Sequence, residues 1–442
     1  MTKMTKSGAA DKAKAGTKAL SRRSVLGMMG AAAGGLAVDG TSALAQAPAS
    51  PAVRKKVKVV YWNWADNPNH QKISVDSVAM FNKSQNFVEV ELDAQMAVGE
   101  VRKKLVVAYA AGGAPDICMA VQYWVQDLHM NGIIAPLDPY FDKWDAKNDY
   151  YPNLIEKAHS KPGQPLLYLP IANLVYFLYY RADWTKELGL QPPETYDQML
   201  ALGKAMTRAP DRYGYAVRGQ PYQAIEIWLP ILRSAGVKMV DEKGNVDFDS
   251  PAAIDMVSKW IGQLTKDKSA PPTAVNDGMR EIYSLLQNGK AGMWVYASQS
   301  SPALTTTLGD NIQGVVTPRI GSEHFSLNNP EGPLMTSSCK EKEAAFEFMK
   351  FMSSGEAALL YTRDRVVPPA RRSLAALDVF QNNRFIKLSV DTEKTWWSPP
   401  YEHEFWAPFQ DRIAPYWQEA LRETITPKQF CEQGARLLRG EG

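Results

Sequence analysis

Apolar and polar positions near residues 57–121 follow two periods in turn. Short β-branched or alternating runs indicate strands, and apolar side chains at helical spacing indicate helices. The predicted elements are, in order, a strand at Val57–Tyr61, a helix over 70–84, a strand at Phe87–Leu92, a helix over 98–108 and a strand at Ile117–Val121. Strands that alternate with helices in this way predict a parallel α/β sheet.

Local signals mark where further helices begin and end. Gly112-Gly113 followed by Pro115 ends the second helix, because glycine adopts left-handed backbone without a steric penalty. Thr195 with Gln198 forms a capping box that opens a helix through Met206. Ser250-Pro251 predicts another helix start, and Glu343–Met352 has helical periodicity.

The first 45 residues have the pattern of an export signal. Arg22-Arg23 precede the uncharged run Val25–Val38, and small residues follow at Ala43–Ala45 and Ala45–Ala47. Paired arginines indicate the twin-arginine route, and cleavage after Ala45 is favoured because Pro48 would follow the other cut. No cysteine lies near either site, so no lipid anchor is expected. The alternative is a buried Gly/Ala-rich helix.

Removal of this segment changes the charge balance. The formal net charge of the whole chain is +3, but the part after residue 45 has 43 basic and 45 acidic residues. The electrostatic argument for nucleic acid or an anionic membrane partner therefore disappears. The longest later apolar run, Leu166–Tyr180, is interrupted by Pro170 and too short for a bilayer, so a soluble exported protein is expected. Its 397 residues exceed one ordinary core and predict two lobes.

Motifs for catalysis, redox chemistry or metal binding are missing. Cys118, Cys339 and Cys431 form no C-x-x-C pair, which leaves one disulfide or three buried thiols as alternatives. The five histidines have no metal-ligand spacing, and there is no G-x-S-x-G, H-E-x-x-H or P-loop. We therefore expect no cofactor, no metal and no enzyme, although paired carboxylates leave a glycoside hydrolase open.

Several segments together resemble the family 1 extracellular solute-binding proteins of ABC importers, which include maltose-binding protein. The matching segments are Trp62–Asp66, Ala110–Ile117, Asn131–Asp138, Leu169–Ala172, Tyr179–Asp183, Pro193–Tyr196, Asn288–Met293 and Val367–Ser373. They occur in the order of the family and cover nearly the whole chain after the leader.

The resemblance implies a two-lobed α/β fold, the type II periplasmic binding protein fold, with a ligand cleft between lobes joined by hinge segments. The implied lobes are 57–170 with 335–365, and 171–334 with 366–442. Pro170–Ala172 and Gly332-Pro333 would be crossings between them. The family also implies a monomeric periplasmic protein that captures a solute and delivers it to an inner-membrane permease. A sensor that docks on a membrane receptor would share this fold.

Part of the implied site follows the first and third strands. Asp66 matches a position that hydrogen-bonds sugar hydroxyls, and Trp62, Asn63 and Trp64 precede it. The alternative is a loop-capping aspartate beside two core tryptophans. Gln122, Tyr123 and Trp124 follow the third strand. Tyr123 stands where maltose-binding protein has a carboxylate that binds the ligand.

The rest of the implied site comes from the second lobe. Tyr222 and Trp406 match sugar-stacking positions, whereas Gln299 stands where the relative has a stacking tryptophan. Arg371 either binds ligand or pairs within the protein. The full candidate set is Trp62, Asn63, Trp64, Asp66, Gln122, Tyr123, Trp124, Asn173, Tyr222, Tyr296, Ser298, Gly332, Arg371, Trp397 and Trp406. Aromatic faces and polar groups together suit a sugar or sugar-like ligand.

Overall fold

A computed structural model describes residues 56–65, 68–96, 98–159, 161, 163–220 and 224–441. All of them belong to one unit, Arg54–Gly442. The predicted leader with Arg22 and Arg23 lies outside the described residues, as do the candidate ligand residues Asp66 and Tyr222.

The strands of the described part vary widely in length. They are β1 Val57–Trp64, β2 Val88–Met96, β3 Ile117–Val121, β4 Ala172–Arg181, β5 Tyr213–Tyr215, β6 Ala291–Ala297, β7 Ile312–Val315, β8 Ser326–Met335 and β9 Trp396–Trp397.

The helices come before, between and after these strands. They are α1 Pro68–Ser84, α2 Val98–Ala110, α3 Gln122–Met130, α4 Asp138–Phe141, α5 Pro152–Ala158, α6 Ala182–Glu187, α7 Tyr196–Met206, α8 Leu229–Ser234, α9 Pro251–Thr265, α10 Met279–Gln287, α11 Ser301–Leu308, α12 Lys342–Met352, α13 Gly355–Arg365, α14 Arg372–Ala375, α15 Asp378–Gln381, α16 Arg384–Asp391, α17 Trp406–Leu421 and α18 Pro427–Leu438.

The predicted start of the fold is confirmed. β1 pairs in parallel with both β2 and β3, and α1 and α2 connect them. The backbone at Gly112 has a φ of +72°, and the amide of Gly113 bonds back to the carbonyl of Ala108 at the end of α2. The capping box at Thr195 and Gln198 is also present at the start of α7.

The sheet is mixed, with the order β2-β1-β3-β8-β4-β6-β5. β8 is antiparallel to β3, and β4 is antiparallel to β6 and β7. We call β2, β1 and β3 the first half of the sheet, and β4 to β7 the second half. β9 pairs with β8 beside the main path.

Strands β4 and β8 connect the two halves. Ala172–Val175 pairs with Asn328–Glu331, whereas Tyr176–Tyr180 pairs with β6. Every residue of both strands is buried. At Gly332 the backbone passes so close to its neighbour that an added Cβ would lie 1.9 Å from the Leu169 carbonyl oxygen. Glycine is therefore required by packing at this candidate ligand position.

The three cysteines, for which the sequence left a disulfide or buried thiols open, lie in the core. Cys118, Cys339 and Cys431 are all buried free thiols, so the disulfide alternative is wrong in this structure.

None of the helices in the described part is long and apolar enough to cross a bilayer.

Candidate functional site

A cleft of about 460 Å³ opens where helices of the two halves face each other. Its lining comes from α2 and α3, which follow β2 and β3, and from α17, which packs against α9 and α18. The residues that line it are Gly99, Glu100, Arg102, Lys103, Tyr123, Trp124, Ala407, Gln410, Asp411 and Ala414. A concave site with aromatic, charged and amide side chains suits a small polar solute.

A row of aromatic rings crosses from β1 to α17. Trp64 contacts Trp124 with 5.9 Å between ring centroids, and Tyr123 contacts both Trp124 and Tyr401 at 5.9 Å. Tyr401 then contacts Trp406 at 5.5 Å. We call Trp64, Trp124, Tyr123, Tyr401 and Trp406 the aromatic row. The structure thus brings four of the predicted ligand residues together, with Tyr401 as the link.

The members of the row differ in exposure. Trp64, Trp124 and Trp406 are buried, whereas Tyr123 is partly exposed and lines the cleft. Trp406 lies against both Tyr401 and Phe409, and its indole nitrogen has no hydrogen-bond partner among the described residues. In this conformation the stacking face predicted for Trp406 is therefore covered by protein rings.

Polar candidates on the β1 and α3 side are bound within the protein. The Asn63 amide donates to Ser74 Oγ at 2.9 Å, and its oxygen accepts from the Trp64 amide at 2.8 Å. Ser398 Oγ lies 3.0 Å from Gln122 Oε1 and 3.1 Å from Asn328 Oδ1, so its hydroxyl can donate to either. Asn63 and the side-chain oxygen of Gln122 therefore have hydrogen-bond partners within the protein.

Charges on α2 are also paired. The Lys104 ammonium lies 4.4 Å from the centroid of the buried Trp62 ring, an attractive cation–π geometry. Arg102 donates to Asp127 with 3.2 Å between Nε and Oδ2. Lys103 and Glu100, which line the cleft, lie 3.7 Å apart. The α2 wall of the cleft therefore combines both signs of charge.

Arg371, for which the sequence left ligand binding or internal pairing open, is paired within the protein. Its Nε donates to Asp149 Oδ2 at 2.8 Å, and another guanidinium nitrogen donates to Ser353 and Ser354. Burial raises the pKa of Asp149, but hydrogen bonds from Ser373 and Arg371 together outweigh it and hold the pKa below its ordinary value. The guanidinium is committed to an internal pair.

Candidates in the second half include buried polar atoms without partners. Asn173 and Ser298 are fully buried, and their side-chain polar atoms have no hydrogen-bond partner in the described part of the chain. Tyr296 stacks on Trp294 with centroids 4.6 Å apart, and burial raises the pKa of its hydroxyl. Trp397 instead contacts Phe325 at 6.5 Å, outside the aromatic row.

The sequence analysis did not predict a polar pair on the α17 side of the cleft, formed by Gln410 and Glu226. Gln410 lines the cleft and donates through Nε2 to Glu226 Oε1. Glu226 belongs to a short 3-10 helix, Glu226–Trp228, and is 1% exposed. Burial raises its pKa to about 7, while the nearby Arg218 charge and the Gln410 hydrogen bond oppose that rise.

Two sequence signals could have found this pair. Glu226 is a single acid inside the apolar run from Ile225 to Leu229. The cleft-lining positions of α17 recur at intervals of three and four residues, which places them on one helix face. Small and polar residues on that face, opposite a bulky apolar one, are typical of a lined groove.

No cluster of metal-binding side chains occurs in the described residues. The known proteins that this chain resembles are binding proteins. Residues 76–386 match the family described as bacterial extracellular solute-binding protein. A putative ABC transporter periplasmic-binding protein of Escherichia coli K12, YcjN, is 19% identical over 244 residues, which is 54% of this chain and 55% of that protein. The chain thus spans about half the length of this curated relative.

Solved structures give the same fold over nearly all described residues. A Thermotoga lettingae ABC transporter solute-binding protein, bound with α-D-tagatose, has a TM-score of 0.78 at 18% identity, covering 87% of this chain and all of that one. The GacH receptor of Streptomyces glaucescens, solved with acarbose, has 0.76 at 20% identity, covering 88% and 100%. Maltose-bound MalE3 of T. maritima has 0.75 at 19%, covering 87% and 99%.

At these identities the likeness establishes the fold, and it confirms the predicted two-lobed periplasmic binding protein architecture. The family match covers well over half of the sequence, from residue 76 to residue 386. The chain therefore belongs to the bacterial extracellular solute-binding proteins.

Proposed function

We propose that this protein captures a sugar or sugar-like solute in the periplasm and delivers it to the permease of an ABC importer. The observation that carries the proposal is the cleft of about 460 Å³ between α2 and α3 on one side and α17 on the other. A binding protein needs such a concave site, and elements of both halves meet there.

The chemistry of the cleft supports a neutral polyhydroxylated ligand. Sugar rings present apolar faces to aromatic side chains and hydroxyl edges to amides and carboxylates. Tyr123 offers a partly exposed ring, and Gln410 and Asp411 offer polar groups on α17. The opposite charges of Glu100 and Lys103 balance one another. Structural neighbours bound with α-D-tagatose, acarbose and maltose supply a first panel of ligands.

A thermal-shift screen of the protein without residues 1–45 tests the proposal. D-Tagatose, maltose, maltotriose and acarbose would be compared with sorbitol, glutamate and spermidine, followed by calorimetry on each hit. A ligand that binds only the native state raises the Tm. Shifts by one of the sugars support the proposal, and a response only to the amino acid or polyamine contradicts it. Recovery of the ligand unchanged from the complex would support binding without catalysis.

The lobes of the proposed mechanism are 57–170 with 335–365, and 171–334 with 366–442. The pairing of β4 with β8 supports crossings near residues 171 and 332, because each strand takes part in both halves of the sheet. A ligand that contacts both lobes favours the closed state. Small-angle scattering should show a smaller radius of gyration with the sugar identified by the screen. An unchanged radius at saturation would contradict closure.

Export by the twin-arginine route is a separate part of the proposal. The pair Arg22-Arg23 and the uncharged run after it support this route, and the absence of a nearby cysteine supports a protein without a lipid anchor. The double substitution R22K/R23K should leave precursor in the cytoplasm. Normal periplasmic accumulation of that variant would remove the assignment. Delivery to a permease, rather than to a sensor, would be tested by loss of sugar uptake after deletion of the gene.

A further inference from the structure

We propose that Glu226 is a specificity-determining residue of the ligand site, whose carboxylate accepts a hydrogen bond from a ligand hydroxyl. The inference rests on the proposed sugar-binding function and deepens it, because it assigns recognition of one hydroxyl group to one side chain. It also adds a residue that neither the sequence motifs nor the lining of the cleft contained.

One side chain, that of Gln410, connects Glu226 to the cleft. Gln410 lines the cleft and donates its amide to Glu226 Oε1. The second carboxylate oxygen, Oε2, is buried and has no hydrogen-bond partner among the residues described. A carboxylate can accept about four hydrogen bonds, so the group retains capacity for a further donor.

Another buried glutamate shows what a purely structural carboxylate looks like in this protein. Glu331, also 1% exposed, accepts at Oε1 from the Tyr361 hydroxyl at 3.1 Å and pairs with the Arg365 guanidinium through both oxygens. Each oxygen of Glu331 thus has a donor, as expected for a buried charge retained for structure. Glu226 has the same burial and one oxygen without a donor.

The surroundings of Glu226 favour an uncharged hydroxyl donor over a cation. Arg218, which is also buried, acts on Glu226 electrostatically, so the two charges cancel when the carboxylate is ionised. A cationic ligand would have to approach the Arg218 charge as well as the carboxylate. A neutral hydroxyl gains a charge-assisted hydrogen bond without that repulsion.

The state of this carboxylate also makes recognition depend on pH. The charged group that acts on Glu226 is Arg218, and the Glu226 charge in turn raises the pKa of Tyr296; Asp411 follows Gln410 on α17. Burial raises the pKa of Glu226 to about 7, so the acceptor form increases between pH 6 and pH 8. Sugar affinity should rise over this interval, since the ionised form is the stronger acceptor.

The test compares E226Q with wild type by calorimetry, using whichever of D-tagatose, maltose, maltotriose and acarbose binds wild type most tightly. E226Q should weaken binding about 10-fold or more at pH 8 and remove the rise in affinity between pH 6 and pH 8. E242Q is the matched control, because Glu242 is exposed and paired with Lys238 on the surface. It should bind as wild type does, and the Tm of each variant checks folding.

Monodeoxy analogues of the same sugar supply a second, independent measurement. One analogue should lose affinity for wild type but not for E226Q, because a site built to bind a hydroxyl rejects the analogue that lacks it. If E226Q is folded and binds sugar with wild-type affinity and pH dependence, Glu226 is structural and the inference is wrong. If wild type binds none of the four sugars, the proposed function itself fails, and the two failures are thereby distinguished.

Discussion

Buried polar side chains near the first half of the sheet differ in their hydrogen bonding from those near the second half. On the β1 and α3 side, Asn63 and Gln122 are hydrogen-bonded within the protein. In the second half, Ser298 Oγ and Glu226 Oε2 are equally buried but have no hydrogen-bond partner among the described residues. Among the polar residues that the sequence placed near a ligand, Asn63 and Gln122 have hydrogen-bond partners, whereas Asn173 and Ser298 have none in the described part of the chain.

This difference separates support from recognition. A buried polar group without a partner costs about 1–3 kcal/mol, and a ligand that supplies the missing hydrogen bond recovers part of that cost. Groups that already have partners gain little from a ligand, whereas unused groups can gain a full hydrogen bond. The first side is therefore interpreted as a preformed platform, and the second as the side that contributes new hydrogen bonds. The following predictions test this division.

The largest effect is expected at the start of the aromatic row. Trp64→Ala should lower the free energy of unfolding by about 3–5 kcal/mol, because it removes a fully buried ring that contacts Trp124 and His70. Urea unfolding followed by circular dichroism measures this loss. Trp64→Phe, which keeps an aromatic ring, should cost less. A folded Trp64→Ala protein with wild-type stability and lost sugar binding would show that this ring recognises ligand.

A pH-dependent stability difference of order 3 kcal/mol is expected from Glu226. Its pKa is raised by burial to about 7 from an ordinary value of 4.5, so the folded protein binds more protons than the unfolded chain between these values. Stability should fall as pH rises from 4.5 to 7, with the full penalty present above 7. The E226Q variant should lack this slope in denaturant titrations at pH 5 and pH 8. An identical slope in E226Q and wild type would contradict the assignment.

Arg371 tests the alternative that the sequence left open. Arg371→Ala should cost about 1–3 kcal/mol of stability, because it removes the hydrogen bond to Asp149 from a largely buried pair. Sugar affinity measured by calorimetry should not change. The pKa of Asp149 is held below its ordinary 3.8, so this stabilisation is present above pH 4 and is lost as pH falls through the folded value. Weaker sugar binding with unchanged stability would instead make Arg371 a ligand residue.

Local patterns in the sequence predicted the elements better than the partners of their side chains. β3 and α7 have the predicted bounds, because a short apolar run and a capping box are signals contained in adjacent residues. The pairing of Arg371 with Asp149 joins residues 222 positions apart, and no local pattern encodes such a contact. Family resemblance placed Trp406 near the ligand, but only packing shows that Tyr401 and Phe409 lie against its ring.

Two buried serines on one turn allow the finest test of the division. Ser298 and Ser300 are both fully buried in the 3-10 helix Ser298–Ser300, but Ser300 Oγ lies 2.7 Å from the Tyr283 hydroxyl, whereas Ser298 Oγ has no partner among the described residues. Ser300→Ala should therefore cost about 1 kcal/mol of stability without changing sugar affinity, since it leaves the Tyr283 hydroxyl without its bond. Ser298→Ala removes a buried hydroxyl that costs about 1–3 kcal/mol, so it should leave stability unchanged or higher, and it should weaken sugar binding by about 0.5–1.5 kcal/mol, the range for one neutral hydrogen bond. Paired calorimetry and denaturant unfolding on the two variants measure both quantities. The reverse outcome, with stability lost at Ser298 and affinity lost at Ser300, would show that missing partners do not mark the ligand side of this protein.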